Sequence, residues 1–167
     1  MGVSEDLERV ALQERELQLP NLDSQVAWEL GSRLRSLALE RGLVVVIDVR
    51  RFGQPLFYAA LDGTTPDHPE WVRRKSNVVA RFLRSSYGVG LGLKAKKRTL
   101  FEEYGLPTAD YAEHGGSFPL SVAKAGIVGS VTVSGLPQRA DHELVVEALC
   151  AHLGRDYTEL RLQAEQA

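Results

Sequence analysis

His114-Gly-Gly-Ser-Phe-Pro-Leu-Ser-Val122, then Ala123-Lys-Ala-Gly126, then Ile127-Val-Gly-Ser-Val-Thr-Val-Ser-Gly135 is the stretch whose reading decides the fold. Two runs rich in β-branched residues, joined by a connector that ends in glycine, predict a β-hairpin. Beyond Leu136-Pro137, Asp141 is expected to cap a helix, and Glu143 suits the positive end of its dipole. Leu144, Val145, Ala148, Leu149 and His152 recur on one helical face. The unit is a hairpin whose second strand feeds a helix packed back on the sheet.

Upstream, the spacing predicts a short charged helix from Ser4 toward Leu17, with Leu7, Val10, Ala11 and Glu14 on one flank. An extended piece near Glu16-Leu-Gln-Leu19 follows, and Pro20 stops it. From Asp23 or Ser24 a longer helix carries the stripe Val26, Ala27, Leu30, Leu34, Leu37 and Ala38, with Gly42 just past its end. Leu43-Val-Val-Val-Ile47 is an unbroken apolar run and predicts a strand covered on both faces. Arg51–Gln54 turns the chain, and Leu56–Leu61 returns as the next strand. Asp62–His68 is a polar loop.

The helix expected from Pro69 to about Ser86 holds one odd residue. Trp71, Val72, Val78, Val79, Phe82 and Leu83 share an apolar sector at 100° per residue, and Lys75 falls inside it. Such a lysine snorkels to the rim, meets an internal anion, or reaches a ligand. Gly88-x-Gly-x-Gly92 is not a phosphate loop, because its spacing is wrong and no strand precedes it. It predicts a flexible connector with a solvated basic run, Lys94 to Arg98. Thr99–Tyr104 then forms a short helix closed by Gly105 and Pro107.

This order of elements, with hairpins and no regular βα alternation, predicts an α+β sandwich with a mainly antiparallel sheet flanked by helices. The piece near Glu16 or residues 109–113 supplies a fifth strand. The 167 residues suit a single domain, with its core over about 4–153 and a C-terminal tail from 154. A net charge of −2 gives no global field toward nucleic acid or anionic lipid, so neither is expected as a partner. No apolar run approaches the ~18 residues of a membrane span, and the start lacks a secretory signal. A cytoplasmic protein is expected. The one cysteine, Cys150, has no internal disulfide partner. It falls opposite the apolar face of the last helix, where it could face a second subunit.

His114 is the first candidate for ligand chemistry. Two glycines follow it and permit close backbone approach, and imidazole can ligate iron or move protons. The alternative is an ordinary loop histidine. His142 lies in the first turn of the last helix, where a cation is disfavoured, so a neutral hydrogen-bonded role is expected. The Asp67/His68 and Asp141/His142 pairs lack metal-ligand spacing. No nucleophile elbow or Cys-X-X-Cys is present.

Gly-Gly-Ser-Phe-Pro-Leu-Ser, the valine-rich strand ending Ser134-Gly135 and the Asp-His-Glu helix resemble the GlcG/HbpS-like haem-binding family. With His68-Pro-Glu-Trp-Val-Arg-Arg-Lys-Ser-Asn77, the chain is most similar to its compact branch, labelled haem-degrading domain or uncharacterised. The resemblance covers nearly all of residues 4–153. It implies a profilin-like fold, homo-oligomers, and haem or another tetrapyrrole as a possible ligand. Lys75 matches a lysine in the family's long helix, and Gly115, Gly116 and Pro119 match its glycine–proline strand motif. Ser117-Phe118 stand where many relatives have a smaller apolar residue, so Phe118 is expected to narrow or fill the pocket. The candidate ligand site is thus Lys75, His114, Gly115, Gly116, Ser117 and Phe118, with His114 also the candidate metal ligand. Three functions fit: an oligomeric small-molecule-binding module without catalysis, an interaction scaffold with a vestigial pocket, and a haem-degrading enzyme.

Overall fold

The computed structural model describes residues 2–164; the end of the expected tail, 165–167, lies outside the described residues. The chain runs α1 (Val3–Glu16), β1 (Gln18–Leu19), α2 (Ser24–Glu40), β2 (Val46–Arg51), β3 (Gln54–Ala60), α3 (Asp67–Phe82), α4 (Ser86–Lys96), α5 (Leu100–Tyr104), β4 (Ser117–Val122), β5 (Gly126–Ser134), α6 (Gln138–Leu153) and α7 (Tyr157–Leu160). Five strands form one sheet in the order β1-β4-β5-β2-β3. Every pairing is antiparallel except β1 with β4, where Gln18 faces Ser121. The α+β sandwich is as expected, and the fifth strand is the piece after Glu16.

Side-chain alternation gives the sheet two unlike faces. Ile47, Val49, Phe118, Leu120, Val131 and Val133 join the main core with Leu30 and Leu34 of α2 and Leu144, Val145 and Leu149 of α6. The other face carries Asp48, Ser117, Ser130, Thr132 and Ser134, all buried. Helix α3 lies over that face. Its polar groups find one another, as where the Ser117 and Thr132 hydroxyls meet at 2.8 Å and Arg50 makes a two-pronged pair with Asp48 at 2.6 and 2.8 Å.

Asp23 caps α2 by accepting from the Val26 N–H at 2.8 Å. Thr99 and Glu102 form a reciprocal cap on α5. β2 begins at Val46, three residues later than the apolar run suggests, and Val44 remains exposed on its approach. Helix α3 stops at Phe82, earlier than expected, with Leu83 left-handed (φ 55).

The sequence reading fails at three places. First, Tyr87–Gly92 is no connector but the buried first half of α4, capped by Ser85 through the Gly88 N–H. The glycines serve proximity, since a Cβ at Gly90 would collide with the Glu113 carbonyl oxygen. Second, α6 starts at Gln138, and Asp141 is not its cap. Its carboxylate turns back to accept from the Leu136 N–H at 2.9 Å and the Gly135 N–H at 3.4 Å, bracing the turn out of β5. Third, Cys150 is fully buried in the main core, because α6 is covered on two sides, by the sheet and by α2. Burial pushes its thiol up to about 11. Beyond 153, Leu160 of α7 packs into the same core, and Leu162 joins Val10, Tyr87 and Leu91 in a smaller cluster.

Candidate functional site

The hairpin, the start of α6 and the facing sides of α3 and α4 enclose two adjoining cavities. The smaller, about 260 Å³, lies between the first half of α3 and the turn from β5 into α6. Trp71, Lys75, His114, Ser134, Leu136 and Asp141 are among its walls. The larger, about 700 Å³, opens on the other side of His114, against α4. His114 and Gln138 line both.

Lys75 settles the odd placement in α3. It is buried, and its Nζ stands 2.9 Å from Asp141 Oδ2, 3.3 Å from the Val133 carbonyl oxygen and 3.5 Å from Ser134 Oγ. Both members of the pair are almost wholly enclosed. Burial lowers the Lys75 pKa against the attraction of Asp141, and burial raises that of Asp141 against the attraction of Lys75. Each group thus sits nearer its neutral form than it would in water. Gly116 (φ 134) makes room, since a Cβ there would stand 2.9 Å from the lysine nitrogen.

His114 is exposed at the mouth, its ring edge-on to Trp71 with centroids 5.2 Å apart. Enclosure on that side holds its pKa below the ordinary histidine value, Glu113 opposing and Lys75 and Arg74 assisting. The imidazole is therefore biased toward its uncharged form, which keeps a nitrogen lone pair. The Arg74 guanidinium caps the Trp71 ring at 4.7 Å, and the indole N–H donates to Asp67 at 3.1 Å. His68 enters the smaller cavity with its Nδ1 accepting the Thr65 N–H.

Of the other residues in the expected site, Gly115 donates its N–H to Gln138 Oε1 at 3.1 Å and so orients a side chain shared by both cavities. Ser117 is bonded to Ser86 and Thr132 inside the polar layer. Phe118 lines neither cavity; it is buried on the opposite face of the sheet, its ring against His142. Residues that sequence reasoning did not single out are Trp71, Gln138 and Arg139. Arg139 pairs with Asp6 and bonds the Tyr87 hydroxyl at 3.2 Å. The partners lie far apart along the chain, so no local pattern announces them. Among the described residues no cluster of three or more potential ligands could hold a bare metal ion.

The two-faced, mainly antiparallel sheet flanked by helices defines the class of protein, and solved structures share that fold. The chain belongs to the HbpS-like family: the family model described as "Haem degrading protein HbpS-like" matches residues 22–150. It is 62% identical over 162 residues to a UPF0303 protein of Burkholderia thailandensis, covering 97% of this chain and 98% of that one. The crystal structure of Ybr137w protein superposes with a TM-score of 0.82 at 28% identity, over 89% of this chain and 88% of that one. The crystal structure of a PduOC:heme complex has the same fold, with a TM-score of 0.67 at 14% identity over 78% of this chain and 94% of that one. No helix among the described residues is long and apolar enough to cross a membrane.

Proposed function

We propose that the protein is a cytoplasmic, self-associating module that binds a flat, largely apolar small molecule, haem or a related tetrapyrrole, in the cleft between α4 and the start of α6. One observation carries the reading: a partly exposed imidazole, His114, whose pKa burial lowers, stands in the wall of a 700 Å³ cleft. That volume lies within the range of small-molecule sites. The lining suits a macrocycle with acidic arms. Tyr87, Leu91 and Pro137 offer apolar surface, and Lys94 brings a cation to the edge. His114 would present its nitrogen to an iron, and Gly115 would hold Gln138 against the ligand's rim. Bound haem would supply the redox chemistry of its iron; the chain's part is to grip the ring and keep water from one face.

The name of the family and the haem complex of a protein with the same fold support this choice of ligand. Lys75 acts indirectly, by bracing the β5–α6 turn through Asp141. Haem titration of the purified protein should give a saturable visible absorption band. His114→Ala should shift that band and weaken affinity by about tenfold, as loss of one iron ligand implies. A spectrum no different from haem with a non-binding control protein rejects the reading.

A further inference from the structure

The smaller cavity has its own chemistry. Lys75, Asp141 and Ser134 are among its lining residues, and the buried Lys75 Nζ has a carboxylate oxygen 2.9 Å away and a hydroxyl 3.5 Å away. The remaining walls include Trp71 and Leu136, and the space is only about 260 Å³. A buried lysine that merely stabilised the fold would need no opening beside it. Here the amine borders an opening large enough for a molecule of a few carbon atoms.

We infer that Lys75 is a carbonyl-capturing residue, which condenses reversibly with a small uncharged aldehyde to form a protonated imine held beside Asp141. The balance is complete without a further reagent. Asp141 takes one proton from the Lys75 ammonium, and the freed amine nitrogen attacks the carbonyl carbon. The C–O double bond opens to a carbinolamine as a second nitrogen proton moves to oxygen. Asp141 then returns its proton to the departing hydroxyl, which leaves as water as the C–N double bond forms. Two ammonium protons end in the water and one stays on the iminium nitrogen. One positive charge faces one carboxylate before and after, so the buried ion pair is never left unbalanced.

The rest of the geometry selects the ligand. Asp67 and Asp141 both line the cavity, and the single iminium charge is already matched by Asp141, so an acid such as pyruvate would bring a further, unmatched carboxylate toward two others. The desolvation that favours the neutral amine also makes this lysine more nucleophilic near neutral pH than an exposed one. Lys94, Lys96, Lys97 and Lys124 are all exposed, and they form an internal reference set within the same chain.

The inference does not rest on tetrapyrrole binding, and its experiment contains no haem, so either can fail alone. The intact protein is incubated at neutral pH with limiting propionaldehyde and cyanoborohydride, and peptides are then mapped by mass spectrometry. The expected result is propylation of Lys75 at least about tenfold faster than any of the four exposed lysines, with pyruvate at equal concentration labelling it less. Asp141→Asn, if its circular dichroism matches the parent, should slow labelling at Lys75 and leave the exposed lysines unchanged. Should that variant unfold, the distribution of label in the parent still decides. Labelling of Lys75 no faster than the exposed lysines overturns the inference, as does equal labelling by pyruvate.

Discussion

His142 donates from Nε2 to the side-chain oxygen of Gln13, 2.7 Å away across 129 residues of chain. The direction is fixed, because the Gln13 amide nitrogen is committed to the Leu160 carbonyl at 2.9 Å and to Glu143 at 3.2 Å. The ring must therefore be the Nε2–H tautomer. Its Nδ1 finds no hydrogen-bond partner among the described residues. Fully buried between the rings of Tyr87 and Phe118, the imidazole has its pKa pushed down to about 3.

Acid sensitivity follows from that value. Between about pH 6.5 and 3 the unfolded chain takes up a proton at His142 that the folded chain refuses, so this residue's contribution to stability falls as the pH falls. The slope is about 1.4 kcal/mol per pH unit inside that window and vanishes above it. Denaturant titrations at a series of pH values should show the loss. His142→Gln should flatten it; an acid limb of unchanged slope in that variant would assign the sensitivity elsewhere.

Gly90 and Gly92, two of the three glycines of α4, should respond oppositely to one added methyl. Gly90→Ala drives a Cβ into the Glu113 carbonyl and should cost about 2–4 kcal/mol, in the range of overpacked cores and strained backbones. A Cβ at Gly92 meets nothing within 4 Å, so Gly92→Ala should be neutral or stabilise by up to about 1 kcal/mol. Equal melting temperatures for the two variants would contradict the packing of α4.

Lys75→Met removes one member of a buried pair and should cost about 3–5 kcal/mol. Asp141→Asn should cost less, since an amide oxygen can still accept from the Leu136 N–H. A double-mutant cycle on chemical denaturation should return a coupling of at least about 1 kcal/mol. Single variants that unfold at the parent's denaturant concentration would show the pair to be energetically idle.

Self-association is expected through the β3 side. β3 is an edge strand whose outer backbone groups have no strand beside them among the described residues. Trp28 of the neighbouring α2, Phe52 in the β2–β3 turn and Tyr58 of β3 are exposed there. Exposed apolar surface of that kind marks interfaces more often than free surface. Light scattering at micromolar concentration should give a mass above that of the monomer, and Trp28→Glu should lower it. A single species of monomer mass in the parent would reject the expectation.

The elements legible in the sequence are those whose signals are local. The hairpin from Ser117 to Ser134, the capped start of α2 and the closed short helix α5 each carry their own turn or cap chemistry, and each is where its residues predict. The glycine alternation at 88–92 misleads because its reason is not local. Gly90 answers to Glu113, and helix propensity yields to that contact. Lys75 is announced by periodicity as a misfit in an apolar stripe, but its partner lies 66 residues away. Asp141 looks like a cap from its neighbours alone, and only the folded turn shows it shared between the Leu136 amide and the lysine. Phe118 is predicted at the right strand, but which side of the sheet holds the cavities is decided by α3 and α4 packing.

The parallel seam between β1 and β4 constrains how the chain reaches this state. β1 is ordered by residues 121 and 122, α1 packs on α4 and α7, and Gln13 is held by residues 142 and 160. During translation this leading segment therefore emerges well before the partners that will hold it. Val10, Leu17 and Leu19, each almost wholly buried at the end, have to wait in water or under a chaperone. Closing a loop of that length is slow relative to forming the β4–β5 hairpin. Refolding should then show an early phase that builds the hairpin and a later one that docks α1, visible as delayed protection of Gln13's neighbours in pulsed hydrogen exchange.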